Sequence, residues 1–262
     1  MEFKEVVGRR RSIRYYQPWR PVEREKIQTV LEAARLSSRA VNASFFKAIV
    51  VYRDRLSAEE RQSLQTPTTT AQLDMAPVYI FWYADLEAVA KAVERGTLKQ
   101  LVDVGALNPS HGWSHAYVDN VVYPQVLQPI AENPQLLPLV CAVEATLPLG
   151  QALLCAFDEG LGASLSAFNT EAAKKLFNIP DTLVPIWMMF LGYPAESPEA
   201  GGQRPREPFE EVFHEGKYGM PFQRDAQVVE RLKALKMIQD PAPLPWRKEE
   251  VRALSRMFGL PE

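Results

Sequence analysis

In the segment "YQPWRPVEREKIQTVLEAARLSS", apolar residues fall at Ile27, Val30, Leu31 and Ala34, the spacing of one helix face, behind prolines and an acidic first turn. An amphipathic helix ending near Ser37 is predicted. The runs "AIVVY" and "PVYIFWYAD" are instead short, β-branched and aromatic, and predict strands buried on both faces. Residues 85 to 107 return to helical spacing, and "AYVDNVVYPQVLQPIAE" reads as a further helix broken at Pro124. The stretch "TLPLGQALLCAFDEGLG" is apolar nearly all round and stops on Gly160 and Gly162, the pattern of a central buried helix. "ASLSAF" follows as a strand or extended loop, then a short helix "TEAAKKLFN" closed by Pro180. "LVPIWMMFLGYP" is continuous in apolar character, as a central strand buried on both faces requires. From Ala195 the segment "ESPEAGGQRPREP" loses periodicity and predicts an extended arm over the surface. Beyond it, "DAQVVERLKALKMI" and "KEEVRALSRMFG" are amphipathic helices separated by the proline-rich "DPAPLPW". Strands and long helices alternate without internal repeats, so the class is α/β or α+β.

The 262 residues, 47% of them apolar, suffice for one large domain with extensions. A formal net charge of -2 gives no chain-wide positive field, which argues against nucleic acid or an anionic membrane as partner. Cys141 and Cys155 form no C-x-x-C pair, so neither a disulfide framework nor a zinc ribbon is expected and a reducing compartment is the simplest reading. The opening "MEFKEVVGRRRSIR" lacks the apolar core of a secretory signal, and "LVPIWMMFLGYP" is too short to span a bilayer; a cytoplasmic protein is expected.

No G-x-S-x-G elbow, H-E-x-x-H, P-loop or G-x-G-x-x-G follows a predicted strand, which removes most support for hydrolase and NTPase chemistry. His111 and His115 have the i, i+4 spacing of metal ligands, but no carboxylates cluster with them and Pro109 and Gly112 place them in a loop or pocket lining; no metal is expected. The remaining signal is "GRRRSIRYY", residues 8–16. A charge run is ordinarily a solvated face, yet a helix or turn here would gather Arg10, Ser12 and Arg14 around one small anion, since guanidinium forks match phosphate bidentately. A second basic pair, Arg204 and Arg206, lies in the arm, and the two patches are expected to converge on one phosphate.

The segment "RRRSIRYY" resembles the opening R-R-S-x-R/K-x-F/Y motif of the FMN-dependent nitroreductase family. Further resemblances follow in family order over roughly residues 8 to 216: "SRAVNASFFKAIVV", "LPLGQALLCAFDEGLGASLSAF", "LVPIWMMFLGYPAE" and "RPREPFEEVFH". The resemblance implies an α+β, nitroreductase-like fold with a central mixed β-sheet surrounded by helices. It further implies an intertwined homodimer with FMN at the subunit interface, residues 1–218 forming the FMN-binding domain and 219–262 a C-terminal helical extension.

By motif, Arg10, Arg11 and Ser12 would hold the phosphate and ribityl chain, joined by Arg204 and Arg206. Ser38, Arg39, Ala40, Asn42 and Ser44 would approach the flavin from the partner subunit. Ser164, Leu165, Ser166 and Ala167 would lie along the ring, with a Ser166 backbone N–H near N5. Arg14 would stabilise the charge left on N1 and the C2 oxygen when a hydride arrives. NAD(P)H is the implied reductant, in ping-pong exchange with nitroaromatic, quinone or similar electron-poor molecules. Two departures stand out: Arg39 replaces the family's serine, and Ser44, Phe45 and Phe46 replace its Gln-Pro-Trp. They keep open other flavin chemistry (dehalogenation, dehydrogenation, oxygen-dependent flavin cleavage) and a non-catalytic flavin binder. Residues 95–145 are long and fall where the family varies its lid; His111, Trp113, Tyr117 and Tyr123 are candidates there for lining a substrate pocket, with core packing the competing role for the aromatics.

Overall fold

The computed structural model describes residues 1–69 and 71–261. Four strands form one sheet: β1 (Phe46–Tyr52), β2 (Val78–Asp85), β3 (Gly162–Ser166) and β4 (Leu183–Gly192), in the order β1-β2-β4-β3. Every strand pair is antiparallel. The expected mixed sheet is corrected to this extent: the strands pair only antiparallel among the described residues, and parallel pairing is left to two isolated bridges, Ser12 with Ala163, where the N-terminal segment lies along the free edge of β3, and Gln203 with Pro241 away from the sheet.

β2 is buried along its whole length, and its period of two divides the interior. Tyr79, Phe81 and Tyr83 face a cluster with Tyr16, Phe168, Met188 and Phe190, while Val78, Ile80 and Trp82 face the opposite one with Met189 and Leu191. β1 departs from its expectation. As an edge strand it is half-exposed, with only Val51 buried. β4 is central as expected, but its first half is open and leaves Trp187 41% exposed.

The helices are α1 (Phe3–Arg9), α2 (Arg24–Arg35), α3 (Ala58–Ser63), α4 (Gln72–Met75), α5 (Ala88–Arg95), α6 (Thr97–Asp103), α7 (His115–Tyr117), α8 (Gln128–Glu132), α9 (Leu136–Asp158), α10 (Thr170–Phe177), α11 (Phe209–Val212), α12 (Ala226–Ala234) and α13 (Arg247–Phe258). α2 buries Ile27, Val30 and Ala34, as its periodicity requires. Between α7 and α8, Val118–Leu127 is a π-helix that carries Pro124 within it, so the proline bends no chain break into the segment.

α9 begins ten residues before the expected "TLPLGQ" start and carries Pro148 in its interior. It is long and apolar enough to cross a membrane by length and composition alone. Ala145, Leu149, Ala152 and Ala156 are buried, the last three against α2 and the sheet. The helix is not buried all round: Leu136, Leu139, Val143 and Leu147 are exposed along its other side.

The arm after Ala195 does not start on the surface. Ala200, Gly201 and Gly202 are buried, and α13 closes over the preceding turn.

Candidate functional site

α1 ends at Arg9, and residues 10–16 run extended rather than as the expected helix or turn. The register follows from Ile13, which is 3% exposed in the core and donates its N–H to Ala163 O at 3.1 Å. Gly162 permits that approach, since a β-carbon there would lie 2.8 Å from Ile13 Cγ1. With Ile13 inward, Arg10, Ser12 and Arg14 fall on the opposite side of an alternating backbone. All three line one cleft of about 1010 Å³, together with Arg204 and Arg206 from the arm. The two basic patches thus meet across most of the chain. Arg224, which sequence reasoning missed, joins them, and Phe209 and Phe213 form an apolar wall.

Charge in this cleft is uncompensated. None of Arg10, Arg14, Arg204, Arg206 and Arg224 forms an ion pair with a carboxylate among the described residues, although Glu207 also lines the cleft. Arg14 donates to Ser12 O, Arg204 to Ala200 O and Arg206 to Pro205 O. Burial, then the nearby Arg206, lowers the pKa of Arg10; burial, then Arg14, lowers that of Arg204. A guanidinium stays protonated in proteins, so these shifts express the cost of burying the cations first and their mutual repulsion second. An anion would relieve it.

Arg11 is placed differently from its neighbours. It is 6% exposed, and its guanidinium donates to Gly202 O, Gly8 O, Arg10 O and Gln239 Oε1. Although it borders the cleft, its donors tie the N-terminal segment to the C-terminal one.

A second recess of about 370 Å³ adjoins the first through Arg14, which lines both. Ser164, Leu165, Ser166 and Ala167 form one side of it, the exposed Trp187 contributes aromatic surface, and the fully buried Phe190 borders it from the core. Ser164 Oγ is in a buried hydrogen bond with Tyr16 OH at 2.9 Å, and Tyr16 OH donates to Ile13 O at 2.8 Å. Ser166 Oγ is bonded to Thr69 Oγ1. Both serine hydroxyls therefore hold the wall in place. Thr68 and Gln72 also line this recess. Sequence reasoning missed them because "TPTTTAQ" matches no motif; the only signal was a polar run a few residues before a wholly buried strand.

Residues Ser38, Arg39, Ala40, Asn42 and Ser44 line neither recess in their own chain. They precede β1, beside α9, where Ala40 N–H donates to Glu144 Oε2 at 3.0 Å and Arg39 to Arg35 O at 2.5 Å. Val41 and Asn42 hold φ of 48° and 54°, the left-handed region, where a β-branched residue is strained. Thr97 Oγ1 donates to Val41 O and helps to hold that conformation.

His111, Trp113, Tyr117 and Tyr123 also line neither recess. Trp113 and Tyr117 meet edge to face at 5.5 Å, Tyr123 packs between two apolar clusters, and His111 is exposed. His115 pairs with Asp103 at 2.7 Å. Among the described residues no three His, Cys, Asp or Glu side chains gather as a metal site. Burial pushes the Cys141 thiol up to about 11, away from nucleophilic use.

The Nitroreductase family's sequence model matches residues 7–193. The chain belongs to the nitroreductase family.

Among solved structures, it is similar to a nitroreductase family protein of Streptococcus pneumoniae, with a TM-score of 0.62 and 21% identity, covering 82% of this chain and 100% of that one. It is similar to an Exiguobacterium sibiricum protein solved in complex with FMN, with a TM-score of 0.62 and 21% identity over 81% of this chain and 96% of that one. These likenesses establish the fold. An NADPH-dependent oxidoreductase of Staphylococcus aureus (strain MRSA252) is 36% identical over 83 residues, 30% of this chain. The match spans 33% of that relative's length.

Proposed function

We propose that the chain is an FMN-dependent oxidoreductase that accepts reducing equivalents from NAD(P)H and passes them, in ping-pong exchange, to nitroaromatic, quinone or similarly electron-poor planar molecules. The observation that carries this reading is that Arg14 lines both a cleft of arginines without ion pairs and a neighbouring recess lined by Ser164–Ala167 and the exposed Trp187. One half suits a phosphate and the other a flat heteroaromatic ring, which is the division within FMN. Bound there, FMN supplies the ring that takes up and gives back a hydride.

The chain's own residues have distinct tasks. Arg10, Ser12, Arg204 and Arg206 hold the phosphate through charge-assisted hydrogen bonds. Arg14, at the junction, offers a fixed cation where negative charge develops on the ring. Gln72 presents an amide to the recess and takes over hydrogen bonding that Ser44, in place of the family's glutamine, is too short to provide. Ser38, Arg39, Ala40, Asn42 and Ser44 complete the site from a second copy of the chain. The exposed Leu136, Leu139, Val143 and Leu147 on α9 support such a homodimer, since a helix apolar on both sides calls for a second cover. This reading treats α9 as an interface helix of a cytoplasmic protein.

The test is the visible spectrum of the purified protein, followed without oxygen on addition of NADH and then NADPH. Flavin bands that bleach are expected. Protein that neither carries FMN nor takes it up would refute the proposal, and bands that neither nucleotide bleaches would leave a flavin binder without this activity.

A further inference from the structure

Everything after residue 193 lies outside the family match, yet the C-terminal stretch touches the basic cleft at its backbone. Gly8, the first residue of the arginine segment, has no room for a β-carbon, which would lie 2.1 Å from Lys236 O and 2.4 Å from Met237 Cα. Gly201, at φ +82°, is closed in the same way by Arg247, whose Cγ would be 2.6 Å away. Hydrogen bonds fill the space between these two approaches. Arg11 Nη2 donates to Gln239 Oε1 at 3.2 Å, Gln239 N–H to Gln203 Oε1 at 3.0 Å, and Gln203 Nε2 to Met237 O at 3.0 Å. The backbone adds Gln203 N–H to Asp240 O at 3.0 Å and Ala242 N–H to Gln203 O at 2.8 Å. Residues 236–242 therefore join the two segments that carry Arg10, Arg14, Arg204 and Arg206.

α13 adds a second, ionic link that reaches Arg14 itself. Glu196 Oε1 accepts the backbone N–H of Arg14 at 2.5 Å and of Tyr15 at 3.1 Å. Its other oxygen, Oε2, is held by Arg247 Nη2 at 2.6 Å, and Arg247 Nη1 is held by Glu250 Oε2 at 2.6 Å. Glu250 Oε1 accepts Ser197 N–H at 2.6 Å, closing the network onto the turn that bears Glu196. The Glu196 side chain is 0% exposed, so Arg247 is the counter-charge beside a buried carboxylate and fixes its orientation. Phe258, near the end of α13, stacks on Tyr15 and Trp19 at 6.2 and 6.3 Å, pinning the helix to the same segment.

We propose that residues 236–258 brace the cofactor cleft, and that Arg247 is a positioning residue that acts through Glu196 on the backbone from which Arg14 projects. The inference rests on the FMN reading above. It assigns the C-terminal helix a part in the cofactor site from a distance, without contact to the ligand.

The test compares wild type with Arg247→Ala, Arg247→Lys, Glu196→Gln and the Arg247→Ala/Glu196→Gln pair. FMN affinity is measured by fluorescence titration of the apoprotein, and the two-electron midpoint potential on the holoprotein. Arg247→Ala is expected to weaken FMN binding about tenfold, the low end of what orienting partners contribute to a ligand site. It should also disfavour the reduced over the oxidised flavin by a similar factor, about 30 mV for a two-electron couple. Arg247→Lys should recover most of both losses, and the paired variant should lose less than the sum of its members, because both act through one link. If Arg247→Ala fails to fold, Arg247→Lys and Glu196→Gln carry the comparison, each with a smaller shift of the same sign. Affinity and potential unchanged in every folded variant, or losses that simply add, would overturn the brace while wild-type FMN binding leaves the parent reading intact. Wild type that binds no FMN overturns both.

Discussion

At the end of β2, Asp85 is sealed from solvent and meets Lys47 and Lys91 at 3.1 Å each, while accepting the Glu87 N–H at 3.0 Å. Beside β3, Arg10, Arg14, Arg204 and Arg206 share a cleft in which no carboxylate forms an ion pair with any of them among the described residues. Burial pushes the Asp85 carboxyl upward, but hydrogen bonds from Lys91, the Glu87 backbone and Lys47 outweigh it and hold the pKa below its ordinary value. In the cleft, burial and like charge act together and lower the pKa of Arg10 and Arg204. The first cluster is complete within the chain, and the second is complete only with something else. Balanced burial of charge marks structure, whereas unbalanced burial marks a ligand site.

The largest effect is expected where the balance is internal. Asp85→Asn removes the charge that holds two lysines from β1 and α5, and should cost about 3 kcal/mol in urea-induced unfolding, the scale of hydrogen bonds to charged groups. FMN affinity should not change. The pH dependence has a definite sign: with the folded pKa below the unfolded one, the stabilisation is fully present above about pH 4 and is lost as pH falls through the folded value. Wild type and Asp85→Asn should therefore differ by a constant amount near neutrality and converge in acid. A constant gap at every pH would mean that folding leaves the Asp85 pKa where it is in the unfolded chain.

The opposite behaviour is expected in the cleft. Arg10→Met keeps the aliphatic stem and deletes one of the repelling cations, so FMN should bind about tenfold more weakly, about 1.4 kcal/mol. The apoprotein should become more stable by about 0.5 kcal/mol, because active-site charge is held at the expense of stability. Loss of affinity with loss of apoprotein stability would erase the contrast with Asp85 and return Arg10 to a packing role.

Part of this contrast was legible in the sequence. The apolar periodicity of α2, β2 and β4 is a local property, and each formed where its pattern placed it. The meeting of the two basic patches was legible too, because motif order pointed residues 10–14 and 204–206 at one place, and they line one cleft. Arg11 was not separable from its neighbours: its inward direction is set by the extended alternation around Ile13 and by Gly8 O, Gly202 O and Gln239, contacts that no local pattern encodes. The early start of α9 was not read: the expected helix began at Thr146, and Pro138 falls in the first turn of the actual one, where a missing N–H breaks no helical hydrogen bond. The C-terminal helices were visible as amphipathic segments, but what their apolar and basic residues meet depends on a chain reversal with no sequence signal.

The smallest effect belongs to an exposed histidine–carboxylate contact, which calibrates the other two. His115 Nε2 and Asp103 Oδ1 are 2.7 Å apart, a shorter contact than any at Asp85, but their side chains are 52% and 59% exposed. Water screens the pair and solvates either partner left alone, so Asp103→Asn should change stability by less than about 1 kcal/mol. Distance alone would rank this pair first, whereas desolvation ranks it last. The same variant bears on the loop that holds His111 and Trp113, because a staple that merely orders an exposed turn leaves FMN binding and NAD(P)H-dependent bleaching unchanged. A loss near that of Asp85→Asn would show that the pair is shielded from solvent in the protein as it exists in solution, and that the separation between compensated and exposed groups drawn from one chain fails there.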